Sequence, residues 1–434
     1  MFKSTLSQRD FDQSTATAVQ PNRPPRISRF WRIIAILFIA HIIVVAPCFS
    51  IQTTCGRWAQ WREPDFGDYL RLPQRVIAND ETAVYPLTAV ATPNTLQTHQ
   101  LNGQPLDTFL AETDTSSFLI LRGDQILYEA YFDGFEQSSI NNSFSAAKSF
   151  ISALIGIAID DGLINSVDDP ITQYLPELGA DYDAITLKHL LMMQSGLEFN
   201  EVEILGLPMP WSDDVISTYG TNLRRSALNT KIAYPPATRW HYNNTNTILL
   251  GMTLEQVTGM AVATYLEHEI WQPLGMSYPA SWSIDSERNG MEYSGVGLQA
   301  RVIDFAKFGL LFANNGNWNG EQIISEAWVQ ESTIYNDPNQ FFTQRLDDLI
   351  PPALAAGKIT EELAAQAYPQ RYQYMWWGYE KNGRYDFYAN GHAGQFIYVS
   401  PDTNTVIVRT GTDRGGVEDP EWAHILFELA TVLQ

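Results

Sequence analysis

Basic residues are scarce in this sequence. Lysine and arginine number 27 against 49 aspartates and glutamates, a formal net charge of −22 over 434 residues. That balance argues against a nucleic-acid partner, which needs basic patches to neutralise phosphates. It suits solubility in water and names no substrate. Cysteine is nearly absent: Cys48 and Cys55 are the only two, and everything after them has none. They can close a small disulfide loop in an oxidising compartment or stand as two unpaired thiols. Histidine is thin as well, with seven scattered along the chain, and His268-Glu269 is followed by no second histidine at helical spacing, so no zinc motif is present. Internal repeats and low-complexity segments are also lacking. Apolar residues make up 45% of the chain, enough to bury a large core in one domain or two lobes.

Long hydrophobic runs are missing with one exception, from Ile33 to about Ile51, broken only by His41, Pro47 and Cys48. Lys3, Arg9, Arg23, Arg26, Arg29 and Arg32 precede it. The run has about the length of one membrane span, and basic residues mark the cytoplasmic side. It therefore reads as a basic cytoplasmic tail over 1–32 and a single-pass transmembrane anchor over 33–51, with the remainder outside. The other reading is a signal peptide cleaved near Ala46. Residues 52–105 are polar and proline-punctuated and read as a linker, with some structure near Tyr69–Val76.

From residue 106 the patterns become regular. Phe118-Leu119-Ile120-Leu121 and Ile126-Leu127-Tyr128 flank Arg122-Gly123-Asp124-Gln125, a predicted β-hairpin. Residues 163–370 read mainly as helices, including 187–193, 245–259, 262–271 and 303–313. Strand character returns at 372–379, 385–388, 395–399 and 405–410, and a helix over about 420–433 closes the chain. Strands at both ends of a chain commonly join one sheet. The expected fold class is α/β (α+β), an antiparallel sheet with flanking helices, split in sequence by an inserted all-helical lobe over about 163–370. The excursions at 198–222 and 340–370 are expected to border a cleft.

The stretch from Phe144 to Gly162 carries the first chemical signal. Phe150, Ile151, Leu154, Ile155, Ala158 and Ile159 repeat at helical spacing, and Gly162 is a stop. Ser145 and Lys148, three residues apart, then share one helix face. A serine hydroxyl needs a base to become a nucleophile, and a desolvated lysine can be neutral enough to serve. The helix start adds free backbone N–H groups for an oxyanion. A lone Ser-x-x-Lys is equally an N-capping serine followed by an exposed lysine. Two further stretches decide between these. Tyr242-Asn243-Asn244 offers a phenol and an amide two residues apart, the phenol a candidate general base. Gly391-His392-Ala393-Gly394-Gln395 opens a predicted strand whose glycines admit close backbone approach and whose edge can donate an N–H.

Ser145-x-x-Lys148, Tyr242-x-Asn244 and His392-x-Gly394, in that order, resemble the three motifs of the penicillin-recognising serine hydrolases. The nearest likeness is to the branch related to class C β-lactamases, which includes esterases, D-amino-acid peptidases and 6-aminohexanoate-oligomer hydrolases. Phrases such as SAAKSFISALIGIAIDDGLINSVDDPITQYLPEL and GVGLQARVIDFAKFGLLFANNGNWNGEQIISEAWV extend the likeness over roughly residues 110–434. The resemblance implies that Ser145 attacks an amide or ester carbonyl and forms an acyl-enzyme. It implies that Lys148 and Tyr242 share the proton transfers, with Tyr242 the base, and that Asn244 holds Lys148 and the substrate. The oxyanion would sit on the backbone N–H groups of Ser145 and Gln395, with His392 and Gly394 beside it. It implies no metal or cofactor, and a small-molecule or short-peptide substrate. With the anchor, the expected location is the bacterial cell membrane, catalytic domain on the periplasmic or extracellular side. His-Ala-Gly stands where β-lactamases usually carry Lys-Thr-Gly, which turns the expectation away from β-lactam hydrolysis. The competing expectation is a non-catalytic or slow-turnover sensor of cell-wall peptides or penicillins.

Overall fold

A computed structural model of the chain describes residues 31–36, 46–62, 64–204 and 207–433. The chain divides at Pro47/Cys48 into two compact units. In the first, residues 31–36 are helical. All that follows concerns the second.

In chain order the elements that matter are α1 (Thr54–Trp61), β1 (Thr88–Ala89), α2 (Leu106–Glu112), β2 (Thr115–Arg122), β3 (Gln125–Tyr131), α3 (Ala147–Asp160), α4 (Asp213–Tyr219), α5 (Asn244–Thr258), α6 (Val302–Ala313) and α7 (Phe341–Ala355). The chain ends with β4 (Gln370–Gln373), β5 (Trp376–Lys381), β6 (Arg384–Gly391), β7 (Gln395–Ser400), β8 (Thr405–Gly411) and α8 (Asp419–Val432). One eight-stranded sheet runs in the order β4-β5-β6-β7-β8-β2-β3-β1. Its central seam joins β8 to β2, with Arg409 opposite Phe118, so the two ends of the domain meet in one sheet. Every pairing is antiparallel except that of the two-residue β1 with β3.

Alternation along the strands decides the layers. Leu119, Leu121, Ile397, Val399, Val406 and Val408 face one core with Phe150 of α3 and Phe308 of α6, whose rings stack at 3.7 Å. Phe118, Ile120, Phe396, Tyr398 and Ile407 face the other, with Phe109 of α2 and Trp422 and Leu426 of α8. Both sheet faces are covered by helices, which is why the central strands are buried at every position but Arg122 at the end of β2.

The block between β3 and β4 is mainly helical but not wholly so. Ala280–Ser283 and Leu298–Ala300 lie in a second sheet with Gln74–Ile77 and Asn141–Asn142. This differs from the all-helical expectation because these strands are only two to four residues long, too short to show a period. Residues 52–105, read as a linker, carry α1 and the Gln74–Ile77 strand of that sheet.

The anchor expectation is overturned. Among the described residues no helix is long and apolar enough to cross a membrane. Of the expected span 33–51, residues 37–45 lie outside the described residues, as do residues 1–30. Its last four residues, Cys48 to Ile51, belong to the folded unit: Cys48 is disulfide-bonded to Cys55, and Gly56 packs against the Ser50 backbone. An apolar run reports composition; it does not report that the backbone continues as one helix. The single-pass location and the membrane partner are therefore not supported.

Candidate active site

Three chain segments converge on one cleft. The Asn141–Asn142 strand leads into Phe144, whose φ of +44° lies in the left-handed region, a conformation that costs a non-glycine residue about 1 kcal/mol. The Phe144 N–H donates to Asn142 Oδ1 at 3.2 Å, which steadies the bend. Ser145 follows on a single 3-10 turn, Phe144–Ala146, ahead of α3. The turn lifts the serine off the helix end, where orphan N–H groups and the positive helix terminus lie.

Lys148 is 2% exposed. Its Nζ donates to Ser145 Oγ at 3.0 Å and to the Gly295 carbonyl at 2.9 Å. Among the described residues no carboxylate lies within ion-pair distance of it. Burial therefore drives its pKa down to about 7, with Asp214 of α4 opposing the shift. Tyr242 stands on the other side. Lys148 Nζ lies 4.8 Å from the centre of its ring, and the nearby Ser145 hydroxyl pulls the phenol's pKa down against a larger opposing effect of burial. Burial holds the phenol above its ordinary value, so Tyr242 is a protonated phenol at neutral pH.

Asn244 opens α5, capped by Asn243, whose Oδ1 accepts from the Thr245 N–H at 2.8 Å. The expected bond from Asn244 to Lys148 is not what the structure shows. Asn244 Nδ2 donates instead to Ser217 Oγ of α4 at 2.9 Å, and its Oδ1 is buried with no partner. The Gly295 carbonyl takes the place beside Lys148.

His392, Ala393 and Gly394 form the turn between β6 and β7, and Gln395 opens β7 paired with Gly391. Ala393 and Gly394 have φ of +60° and +72°. Buried Arg409 on β8 holds the turn, donating to the carbonyls of Ala393 (3.1 Å) and Gly394 (2.6 Å). The Gln395 side chain donates to the Gly411 carbonyl at 2.7 Å and accepts from its N–H at 3.1 Å. The exposed His392 ring meets Phe144 edge-on at 5.3 Å. Gly391 abuts the serine turn: a Cβ there would sit 2.2 Å from the Ser143 carbonyl oxygen. Gly391→Ala is expected to push β6 off the serine turn, at about 1–3 kcal/mol of stability by chemical denaturation and with loss of covalent labelling at Ser145.

Ser145, Tyr242, Asn244 and His392 line a cleft of about 330 Å³. Its facing wall is α4 with Glu203 and Pro208, so the 198–222 excursion does border it. The 340–370 excursion supports it one layer back: Phe342 of α7 packs edge-on to Trp240 (4.9 Å), and Trp240 lies against Tyr242 (6.1 Å). Sequence reasoning missed Gly295, Arg409 and the acidic wall. In that wall burial lifts Asp214 to about 6, with Glu201 and Asp213 adding to the shift. Ser212-Asp213-Asp214 had a signal, but an acidic helix start reads the same whether or not it faces a cleft. Among the described residues no group of three or more His, Cys, Asp or Glu is placed to hold a metal ion.

The Beta-lactamase family matches residues 107–431. A 6-aminohexanoate-dimer hydrolase from Paenarthrobacter ureafaciens is 27% identical over 339 residues, 74% of this chain and 77% of that protein. Two solved structures share the fold. One from Bacillus anthracis, provisionally assigned as a 6-aminohexanoate-dimer hydrolase, has a TM-score of 0.69 at 21% identity, covering 83% of this chain and 91% of the other. A penicillin-binding protein from Bacillus halodurans has a TM-score of 0.53 at 18% identity, covering 75% and 99%. With a family match spanning all of the sheet but its two-residue edge strand β1, together with Ser145, Lys148, Tyr242, Asn244 and His392, this chain belongs to the beta-lactamase family of serine hydrolases.

Proposed function

We propose that the protein hydrolyses an amide or ester bond through an acyl-enzyme on Ser145. The observation that carries this is the 3.0 Å contact between Ser145 Oγ and a lysine held near neutrality by burial. As Oγ attacks the carbonyl carbon, its proton passes to neutral Lys148 Nζ, and the oxyanion is met by the backbone N–H groups of Ser145 and Gln395. Tyr242, a protonated phenol, hands its proton to the departing amine or alcohol and is reprotonated from Lys148. Water then attacks the acyl ester, giving its proton back through the same pair, and the acid leaves as Ser145 Oγ regains its hydrogen. This assigns the first base role to Lys148 rather than to Tyr242, because a phenol raised by burial is a poor base at neutral pH.

The acidic wall of Asp214 and Glu203 suits a substrate with a cationic end, such as an amide bearing a free amine. His392 replaces the lysine that binds an antibiotic carboxylate, so esters and linear amides are the favoured class. The test is turnover of p-nitrophenyl esters, D-aminoacyl amides, nitrocefin and the linear 6-aminohexanoate dimer, with a fluorophosphonate as covalent probe. Esters and at least one linear amide are expected to turn over well ahead of nitrocefin. A protein that forms no adduct and turns over none of these is not a hydrolase, and a stable penicillin adduct without turnover would assign it to sensing.

A further inference from the structure

We propose that Arg57 of α1, outside the family-matched region, is a positioning residue for Lys148, fixing across the fold the turn whose Gly295 carbonyl holds the lysine. This rests on the hydrolase reading above. Arg57 is 4% exposed. Its Nη1 donates to the Tyr293 hydroxyl at 2.8 Å and to the Tyr219 carbonyl at 3.4 Å, and its Nε donates to the Ile51 carbonyl at 3.0 Å. The Tyr293 hydroxyl donates onward to the Gly220 carbonyl at 2.8 Å. The Tyr293 carbonyl accepts from the N–H groups of Val296 and Gly297 at 2.9 Å each, closing the turn that presents Gly295. That turn is pressed onto the lysine: a Cβ on Gly295 would lie 3.3 Å from Lys148 Nζ and 3.6 Å from Thr247 Cβ.

The consequence is electrostatic as well as geometric. The Gly295 carbonyl stabilises the charged form of Lys148, so moving it changes both where Nζ sits and how readily it holds a proton. The titratable groups facing Lys148 are Asp214 from α4 and Tyr242 ahead of α5; Ser145, Thr247 and the Gly295 carbonyl are neutral. The same guanidinium meets the last carbonyl of α4, a favourable place for a cation, and α4 carries the Ser217 that accepts from Asn244. The strap bearing Arg57 is tied down by Cys48–Cys55, by Trp61 edge-on to Tyr219 at 5.5 Å, and by Asp68, which accepts from the Tyr219 hydroxyl at 2.5 Å.

The test uses the full chain as wild type, Arg57→Met, Tyr293→Phe and the double variant. Lys148 acetylation by acetic anhydride is followed against pH by mass spectrometry, beside kcat and KM on p-nitrophenyl acetate and the melting temperature. Each single variant is expected to move the midpoint of Lys148 labelling down by about half a pH unit or more, because the ammonium loses its carbonyl partner. The double variant should move no further than either single one, since both act through one contact. Loss of about tenfold in kcat with KM within about twofold should accompany the shift. A midpoint that stays in place or moves up, with only the melting temperature lowered, makes Arg57 a structural staple and overturns the proposal. If Arg57→Met does not fold, Tyr293→Phe decides, since it removes one oxygen and keeps the ring. Labelling needs no turnover: a shifted midpoint in a protein that hydrolyses nothing would remove the hydrolase reading and leave the Arg57–Lys148 link standing.

Discussion

Ser145→Ala is expected to lower kcat/KM on an activated ester by roughly 10⁴- to 10⁶-fold, the range seen when a covalent nucleophile is removed and only binding and the oxyanion site remain. The mass shift from a fluorophosphonate should vanish with it. The fold should be untouched, because Ser145 is half-buried on a turn and its hydroxyl is not a cap: that turn and α3 have no side-chain cap bond at their N-termini. The lost hydrogen bond from Lys148 is one of two, and the Gly295 carbonyl still holds the amine. Residual activity within tenfold of wild type, measured under the same conditions, would mean that another group attacks the carbonyl.

The second large effect concerns Lys148. Lys148→Met keeps the length of the side chain and removes the amine, and a drop in kcat of about 10²- to 10⁴-fold is expected for loss of a general base. Its pH behaviour is as diagnostic as its size. The neutral amine is the working form, so wild-type kcat/KM should rise through a midpoint of about 7 and flatten above it. In Lys148→Met that limb should disappear. Stability carries the opposite signature to an ordinary ion pair. The native pKa of about 7 lies below the unfolded value of 10.5, so between these pH values the unfolded chain binds the proton that the native one has lost. Stability contributed by this group therefore rises with pH from about 7 to about 10.5, and the cost of burying the ammonium is full below 7. Lys148→Met removes that cost, so below pH 7 the variant should unfold at higher denaturant than wild type. A variant less stable than wild type at pH 6 and equally active would sink this account of the lysine.

Much of this was legible from residue order. The hairpin over 117–132 was visible because two short continuous apolar runs flank Gly123-Asp124, and β2 and β3 are there. The helix after Ser145 was visible because its apolar face recurs at 3.6 residues, though its first turn is 3-10 and the α-helix proper begins at Ala147. The predicted helices over 245–259, 303–313 and 420–433 correspond to α5, α6 and α8 to within one residue at each end. The apolar run at 33–51 misled, because hydropathy over a window registers neither a disulfide to Cys55 nor a turn before it. The short strands at 280–283 and 298–300 gave no period to detect.

For the cleft the division is sharper. Ser145 and Lys148 are neighbours by helical geometry alone, so their pairing follows from a three-residue spacing. What makes that pair reactive does not. The neutrality of Lys148 comes from burial among residues brought from three other segments, and its second partner, Gly295, lies 147 residues along the chain. Asn244 meets Ser217 across 27 residues, and Arg57 meets Tyr293 across 236. Local order determined which atoms could react, because spacing on a helix is a property of a few residues. The tertiary fold decided the protonation state and the partner of each group, because dielectric environment and long-range contact exist only once distant segments have packed together.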